Sequence, residues 1–195
     1  MRWAYAALGI GFTVLIGGYL LFVPSTAEAP VQTSMGKMTL QSSAFREGER
    51  IPSQFTCDGD NINPELIFGN VPENTVSLVL IMDDPDVRQS VKDERGIDAI
   101  DHWILFNIPP NTSSIAENTT VGVPGENVGE GGAYVGPCPP PQFEPAEHRY
   151  FFRLYALDTE LGLHAGATKE EVRRAMEGHV IDNAELIGRY SRDNN

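Results

Sequence analysis

Three places in the chain bring polar or titratable side chains to the end of an apolar run. Asp83 and Asp84 close the run SLVLIMDD at 77–84, Asp86 follows, and Pro85 between them cannot continue a strand ladder. His102 opens HWILFNIP at 102–109, and His148 opens HRYFFRLYALD at 148–158. Tyr150 stands two residues after His148, so in a strand the two side chains share a face. If the three strand ends converge, they form one pocket holding two imidazoles, a phenol and a carboxylate. Histidine and carboxylate sets also bind divalent ions, but this spacing matches no diagnostic metal pattern. The plainer alternatives are aspartates that form turns and a His–Tyr pair satisfied on a sheet face.

Other chemistries find less support. The chain has neither the G-x-S-x-G nucleophile elbow nor the G-x-x-x-x-G-K-[ST] phosphate loop. Its two cysteines, Cys57 and Cys138, are too few for a four-thiolate zinc site. A Cys–His pair with His148 is conceivable, but outside the membrane two cysteines more often bond to each other. His164 and His179 flank a helix and read as solvated surface residues. With 14 Lys+Arg against 27 Asp+Glu the net charge is −13, and no Lys/Arg run occurs. Such a chain repels phosphate backbones, which excludes ordinary nucleic-acid binding.

The elements that must hold these side chains are mostly strands. Gly 19 and Pro 14 together make up about one residue in six, and 41% of the chain is hydrophobic. Strands are predicted at 38–45, 77–84, 102–109 and 148–158, and AELIGRY at 184–190 reads as a last strand or a short helix. The continuous apolar character of 77–84 predicts burial on both faces. One helix is signalled by Thr168 as a cap, Glu171 three residues on as its capping-box partner, and Gly178 at the far end. The result is an antiparallel β sandwich with a peripheral helix.

The N-terminus reads as a separate object. Residues 3–23, WAYAALGIGFTVLIGGYLLFV, carry no charge, and Arg2 precedes them. About 20 apolar residues span a bilayer core, and a leading Arg keeps that end cytoplasmic. A retained signal anchor and a signal peptide cleaved near 25–29 both fit. The expected organisation is therefore an anchor or signal peptide at 1–27, a tether at 28–37 and a folded domain at 38–195. The domain is expected to be membrane-anchored and extracytoplasmic (periplasmic or at the cell surface), or secreted if the signal is cleaved.

The ordered series CDGDNINPEL (57–66), DDPD (83–86), HWILFN (102–107), YVGPCPPP (134–141), HRYFFRLYALD (148–158) and AELIGRY (184–190) resembles the phosphatidylethanolamine-binding protein family, in its bacterial and archaeal Raf-kinase-inhibitor-like branch. The resemblance covers roughly 38–192. It implies a mainly β fold, a large central antiparallel sheet packed on a smaller one, with a small peripheral helix. It also implies a surface pocket for small anions or phosphate-bearing head groups. Carried over residue by residue, the pocket is Asp84, His102, Pro139, Pro140, His148 and Tyr150, with Asp86 and Arg149 in support. The family pattern also places the loops of Cys57 and Cys138 near one end of the sandwich, and in an oxidising compartment a disulfide between them is expected; the competing reading is two reduced cysteines lining the pocket. Imidazole and tyrosine donors would hold an anion without Lys or Arg, and Asp84 would orient a histidine or receive an ammonium group.

The chain departs from the family pattern in three places. Val87-Arg88 replaces the second proline of D-P-D-x-P, and an insertion-like segment, 88–100, follows. Ile100 and Asp101 stand where an aromatic residue is usual, and Asp101 beside His102 is expected to raise that histidine's pKa. Ala146 replaces a common glycine. The expected function is a non-enzymatic extracytoplasmic binding protein for anionic ligands such as phosphoethanolamine head groups, without metal or cofactor. Its expected partners are that anion or lipid head group and, through the N-terminal segment, a membrane. The alternative is a protein that modulates a protease or kinase through loop 88–100 or 139–147. A metal-dependent hydrolase is the third reading.

Overall fold

The structure is a computed structural model and describes residues 36–129 and 131–192. Short strands β1 (Thr39–Ser42), β2 (Leu66–Gly69) and β5 (Ser114–Ile115) form a small antiparallel sheet in the order β1-β2-β5. The larger antiparallel sheet takes β3 (Ser77–Asp84), β4 (Ile100–Ile108), β6 (Val123–Pro124), β7 (Glu147–Leu157) and β8 (Val180–Ser191), in the order β6-β4-β3-β7-β8. Helices α1 (Gln89–Arg95) and α2 (Lys169–Met176) complete the described elements, beside a single 3-10 turn at Ser53–Phe55. The fold is mainly β, with two antiparallel sheets and a peripheral helix, as the sequence predicts.

β3 lies at the centre of the larger sheet, and all eight of its residues are buried. Leu78, Leu80 and Met82 face the smaller sheet and join Leu40, Leu66, Phe68 and Ile115 in the main core. Val79 and Ile81 face the other way, against Val172 and Met176 of α2. Each large aliphatic side chain so buried contributes roughly 1.5–3 kcal/mol, which is why an unbroken apolar run suits this position. Along β7, His148, Tyr150, Phe152, Leu154 and Ala156 are buried in alternation with more exposed neighbours. The same alternation at Ala184, Leu186, Gly188 and Tyr190 makes 184–190 part of strand β8 rather than a helix.

The predicted capping box of α2 is present. Glu171 N–H donates to Thr168 Oγ1 at 3.2 Å, and Thr168 N–H donates to Glu171 Oε2 at 2.9 Å. Helix α1 occupies the insertion-like segment and was not foreseen. It buries no residue, lacks a side-chain cap at Arg88, and ends at Gly96 with φ 66°.

Residues 47–51 run alongside the outer strand β8. Gly48 N–H donates to Ile187 O at 2.8 Å, and Ile51 N–H to Arg189 O at 2.8 Å. Arg189 N–H donates to Glu49 O at 2.9 Å, and Ile187 N–H to Glu47 Oε2 at 2.8 Å.

The expected membrane-anchored localisation requires correction. Among the described residues no helix is long and apolar enough to cross a membrane. The apolar run at 3–23 lies outside the described residues, as does most of the expected tether.

Candidate functional site

The pairing of β3 with β4 is interrupted where the site begins. Met82 stands opposite Trp103, but Asp83 stands opposite Asp101, so His102 is an extra residue with no partner on β3. A β-bulge of this kind re-aims a side chain. Strict alternation would send His102 to the face opposite Trp103. The bulge instead lets the imidazole meet the Tyr150 ring edge-on, with centroids 5.2 Å apart.

Asp84 ends β3 and divides its two oxygens between two tasks. Oδ1 accepts the Asp86 N–H at 2.8 Å, closing the turn around Pro85, and Oδ2 bonds His148 Nδ1 at 2.7 Å. The turn-forming reading and the pocket reading of this aspartate therefore both hold. Burial disfavours the charged form of His148, but Asp84 and then Asp86 outweigh it and raise its pKa above the ordinary histidine range. His102 goes the other way. It is 6% exposed, and burial holds its pKa below the ordinary range despite the Val135 carbonyl and the more distant Asp84. The expected pKa increase from Asp101 is thereby corrected: Asp101 turns through the sheet to Lys169 Nζ, 2.6 Å away, and does not face His102.

All six expected pocket residues, Asp84, His102, Pro139, Pro140, His148 and Tyr150, line one cavity of about 390 Å³. Asp86 and Arg149 do not line it. They stand beside it as an ion pair, with Arg149 Nε donating to Asp86 Oδ2 at 2.8 Å and a second guanidinium nitrogen to Oδ1 at 2.7 Å. That pair holds Asp86 below the usual carboxylate range. Tyr150 is fully buried between the two histidines, and its ring stacks on His148 at a centroid distance of 6.5 Å. The Cys138 backbone N–H faces its hydroxyl oxygen, and among the described residues the hydroxyl proton has no acceptor. Burial, followed by the nearby Asp84 charge, pushes its pKa up, so it stays protonated.

The rear wall is a tightly fitted loop. Gly136 N–H donates to Asn61 Oδ1 at 2.8 Å, and a Cβ at Gly136 would overlap the Phe55 carbonyl. Two residues on, Cys138 is bonded to Cys57 across 81 residues of chain, with Cys57 N–H donating to Pro137 O at 3.1 Å.

Sequence reasoning missed the mouth. Val87, Arg88, Val91 and Arg95, in and before α1, line the cavity together with Phe143. The Arg88 guanidinium lies 3.5 Å from the centre of the Phe143 ring. Two arginines thus reach a pocket that was expected to work without any. The sequence marks 88–100 as an insertion-like loop, and α1 shows no apolar stripe that would single out these residues as a wall. His179, by contrast, is exposed and pairs with Asp158 at 2.8 Å, and His164 is exposed as expected. Among the described residues no group of three or more His, Cys, Asp or Glu side chains is arranged to hold a metal ion.

Two antiparallel sheets, with a cavity floored by the ends of three strands of the larger one, define the class of domain. Residues 41–191 match the family model described as phosphatidylethanolamine-binding protein. The chain belongs to that family. It is 47% identical over 162 residues to a UPF0098 protein of Methanothermobacter thermautotrophicus, covering 80% of this chain and 99% of that one. It is 44% identical over 157 residues to a UPF0098 protein of Chlamydia trachomatis, covering 80% and 100%. A crystal structure of a phosphatidylethanolamine-binding protein homologue from Chlamydia trachomatis superposes with TM-score 0.74 at 43% identity, over 80% of this chain and 99% of that one. Escherichia coli YbcL shares the fold, with TM-score 0.70 at 23% identity, over 81% and 100%.

Proposed function

We propose that the domain is a non-enzymatic binding protein whose cavity takes a small anionic or phosphate-bearing ligand, such as phosphate or a phosphoethanolamine head group. The observation that carries this reading is the Tyr150 hydroxyl, buried with no acceptor for its proton among the described residues, in a cavity it shares with His102 and His148. A buried hydroxyl left unpaired costs about 1–3 kcal/mol, which a ligand oxygen accepting its proton would recover. The raised His148 supplies a cationic donor, and Arg88 and Arg95 place two positive charges at the mouth of an otherwise acidic chain. Among the described lining residues there is no serine, threonine or lysine, and the cysteine is disulfide-bonded. The similarity to the phosphatidylethanolamine-binding protein homologue of Chlamydia trachomatis supports this chemistry.

Thermal unfolding in the presence of phosphoethanolamine tests the proposal. A ligand at a hundredfold excess over its dissociation constant stabilises by about 2.7 kcal/mol. His148→Ala should weaken binding by about 1.5–3 kcal/mol, the range for a hydrogen bond to a charged group, and Tyr150→Phe by less. Unchanged affinity in both variants would place the ligand elsewhere.

A further inference from the structure

The hydrogen-bonding roles of the cavity floor are assigned by its neighbours. The Val135 carbonyl can only accept, so its 2.8 Å contact puts a proton on His102 Nδ1. Burial favours the neutral ring, in which Nε2 carries a bare lone pair, an acceptor. The Asp84 carboxylate also only accepts, so His148 donates from Nδ1 at 2.7 Å. Its charged form then offers Nε2–H as a second donor, and Tyr150 offers its O–H. The charged and titratable side chains that line this space are Asp84 from β3, His102 from β4, His148 and Tyr150 from β7, and Arg88 and Arg95 from the α1 segment. The floor thus combines two donors with one acceptor.

We infer that the cavity selects a tetrahedral anion that still carries at least one acidic proton, a phosphate monoester monoanion or dihydrogen phosphate, with a P–OH donating to His102 Nε2 and its unprotonated oxygens accepting from His148 and Tyr150. This rests on the anion-binding reading above and makes His102 a specificity-determining residue. Sulfate offers only acceptors, so one of its oxygens would face the His102 lone pair. A phosphodiester has no P–OH and meets the same mismatch. A site built around a hydrogen bond rejects the analogue that cannot make it, because its own buried group is left unpaired.

Calorimetric titration of the full chain at pH 5.5 tests this with four probes: inorganic phosphate, phosphoethanolamine, sulfate and dimethyl phosphate. A phosphate monoester loses its second proton at about pH 6, so the monoanion predominates at this pH. Phosphate and phosphoethanolamine should bind roughly ten- to a hundredfold more tightly than sulfate and dimethyl phosphate, the cost of one mismatched buried acceptor. Whichever of the first two binds more tightly identifies the source of the phosphate group. His102→Ala removes the opposing lone pair, and the preference for phosphate over sulfate should disappear. If that variant does not fold, the wild-type ratio still decides. Equal affinity for phosphate and sulfate, with both lost in His148→Ala, would overturn this inference while leaving the anion site standing. Absence of binding by all four probes would overturn the site reading itself.

Discussion

Asp83 and Asp84 are adjacent in β3 and face opposite sides of the sheet. Asp84 bonds His148 in the cavity, whereas Asp83 pairs with Arg153 and lies 3.7 Å from Lys169 Nζ on the α2 side. The strand's period of two separates them, so one acid serves the cavity and its neighbour serves the packing of α2. Each buried carboxylate has a basic partner, as its desolvation requires.

The ion cluster on the α2 side should be sensitive to loss of its single buried cation. The Lys169 side chain is 2% exposed and reaches Asp101 at 2.6 Å and Asp98 at 3.6 Å. Lys169→Met should cost about 3–5 kcal/mol in urea unfolding, because Asp83 stays buried and Asp101 half-buried without it. Asp98→Asn, at the exposed end of the cluster, should cost about 1 kcal/mol or less. Equal costs would mean that the cluster does not act as a buried pair.

Stability without ligand should peak near pH 6.5. The folded pKa of His148 is raised, so its contribution is complete below the unfolded value of about 6.5 and is lost as pH rises through the folded value. The folded pKa of His102 is lowered, so its contribution is complete above about 6.5 and is lost as pH falls through the folded value. Urea midpoints measured across pH should therefore decline on both sides. Asp84→Asn should remove the alkaline decline, and its persistence in that variant would assign the decline to another group.

The sheets were legible wherever side-chain pattern alone decides a strand. The unbroken run at 77–84 and the alternation after His148 correspond closely to β3 and β7. The four-residue strand at Leu66–Gly69 and the two-residue strands are too short to show a period. Helix α1 was illegible because Val91 is its only apolar residue and no side chain caps it. Gly96, in the left-handed region, was the one available signal. For the site, residue types and the family motifs pointed to six lining residues. The tautomer of His102 depends on a backbone carbonyl, Val135, and its direction on a bulge, neither of which side-chain types encode.

Removing the cross-link should loosen the cavity wall as well as the fold. A Cys57→Ser, Cys138→Ser double variant opens an 81-residue loop, and stability should fall by about 2–4 kcal/mol. Because Cys138 precedes Pro139 in the lining, phosphate affinity should fall too. Thiol labelling of the denatured, unreduced wild type should find no reactive cysteine, and two labelled thiols per chain would refute the bond.

Gly136→Ala should reveal how closely the rear wall is fitted. The added methyl meets the Phe55 carbonyl and the Thr56 backbone, neither of which is the free end of a side chain. Overpacking of this kind costs about 1–3 kcal/mol. Gly162→Ala, where a methyl meets open space, is the matched control. Gly162→Ala should be neutral or slightly stabilising through the unfolded chain, and a similar loss in both would show that the Phe55 contact is not its cause.

The segment 47–51 beside β8 governs how the molecule meets its own copies. An outer strand of twelve residues would otherwise offer a row of unpaired amides and carbonyls, a template on which another chain could add a strand. Here the groups at Ile187 and Arg189 are already occupied by Glu47, Gly48, Glu49 and Ile51. At the opposite border, β6 is only two residues long and ends in a proline. The C-terminal half of β8 and the short β6 are thus poor templates for β-augmentation, the one covered and the other cut short.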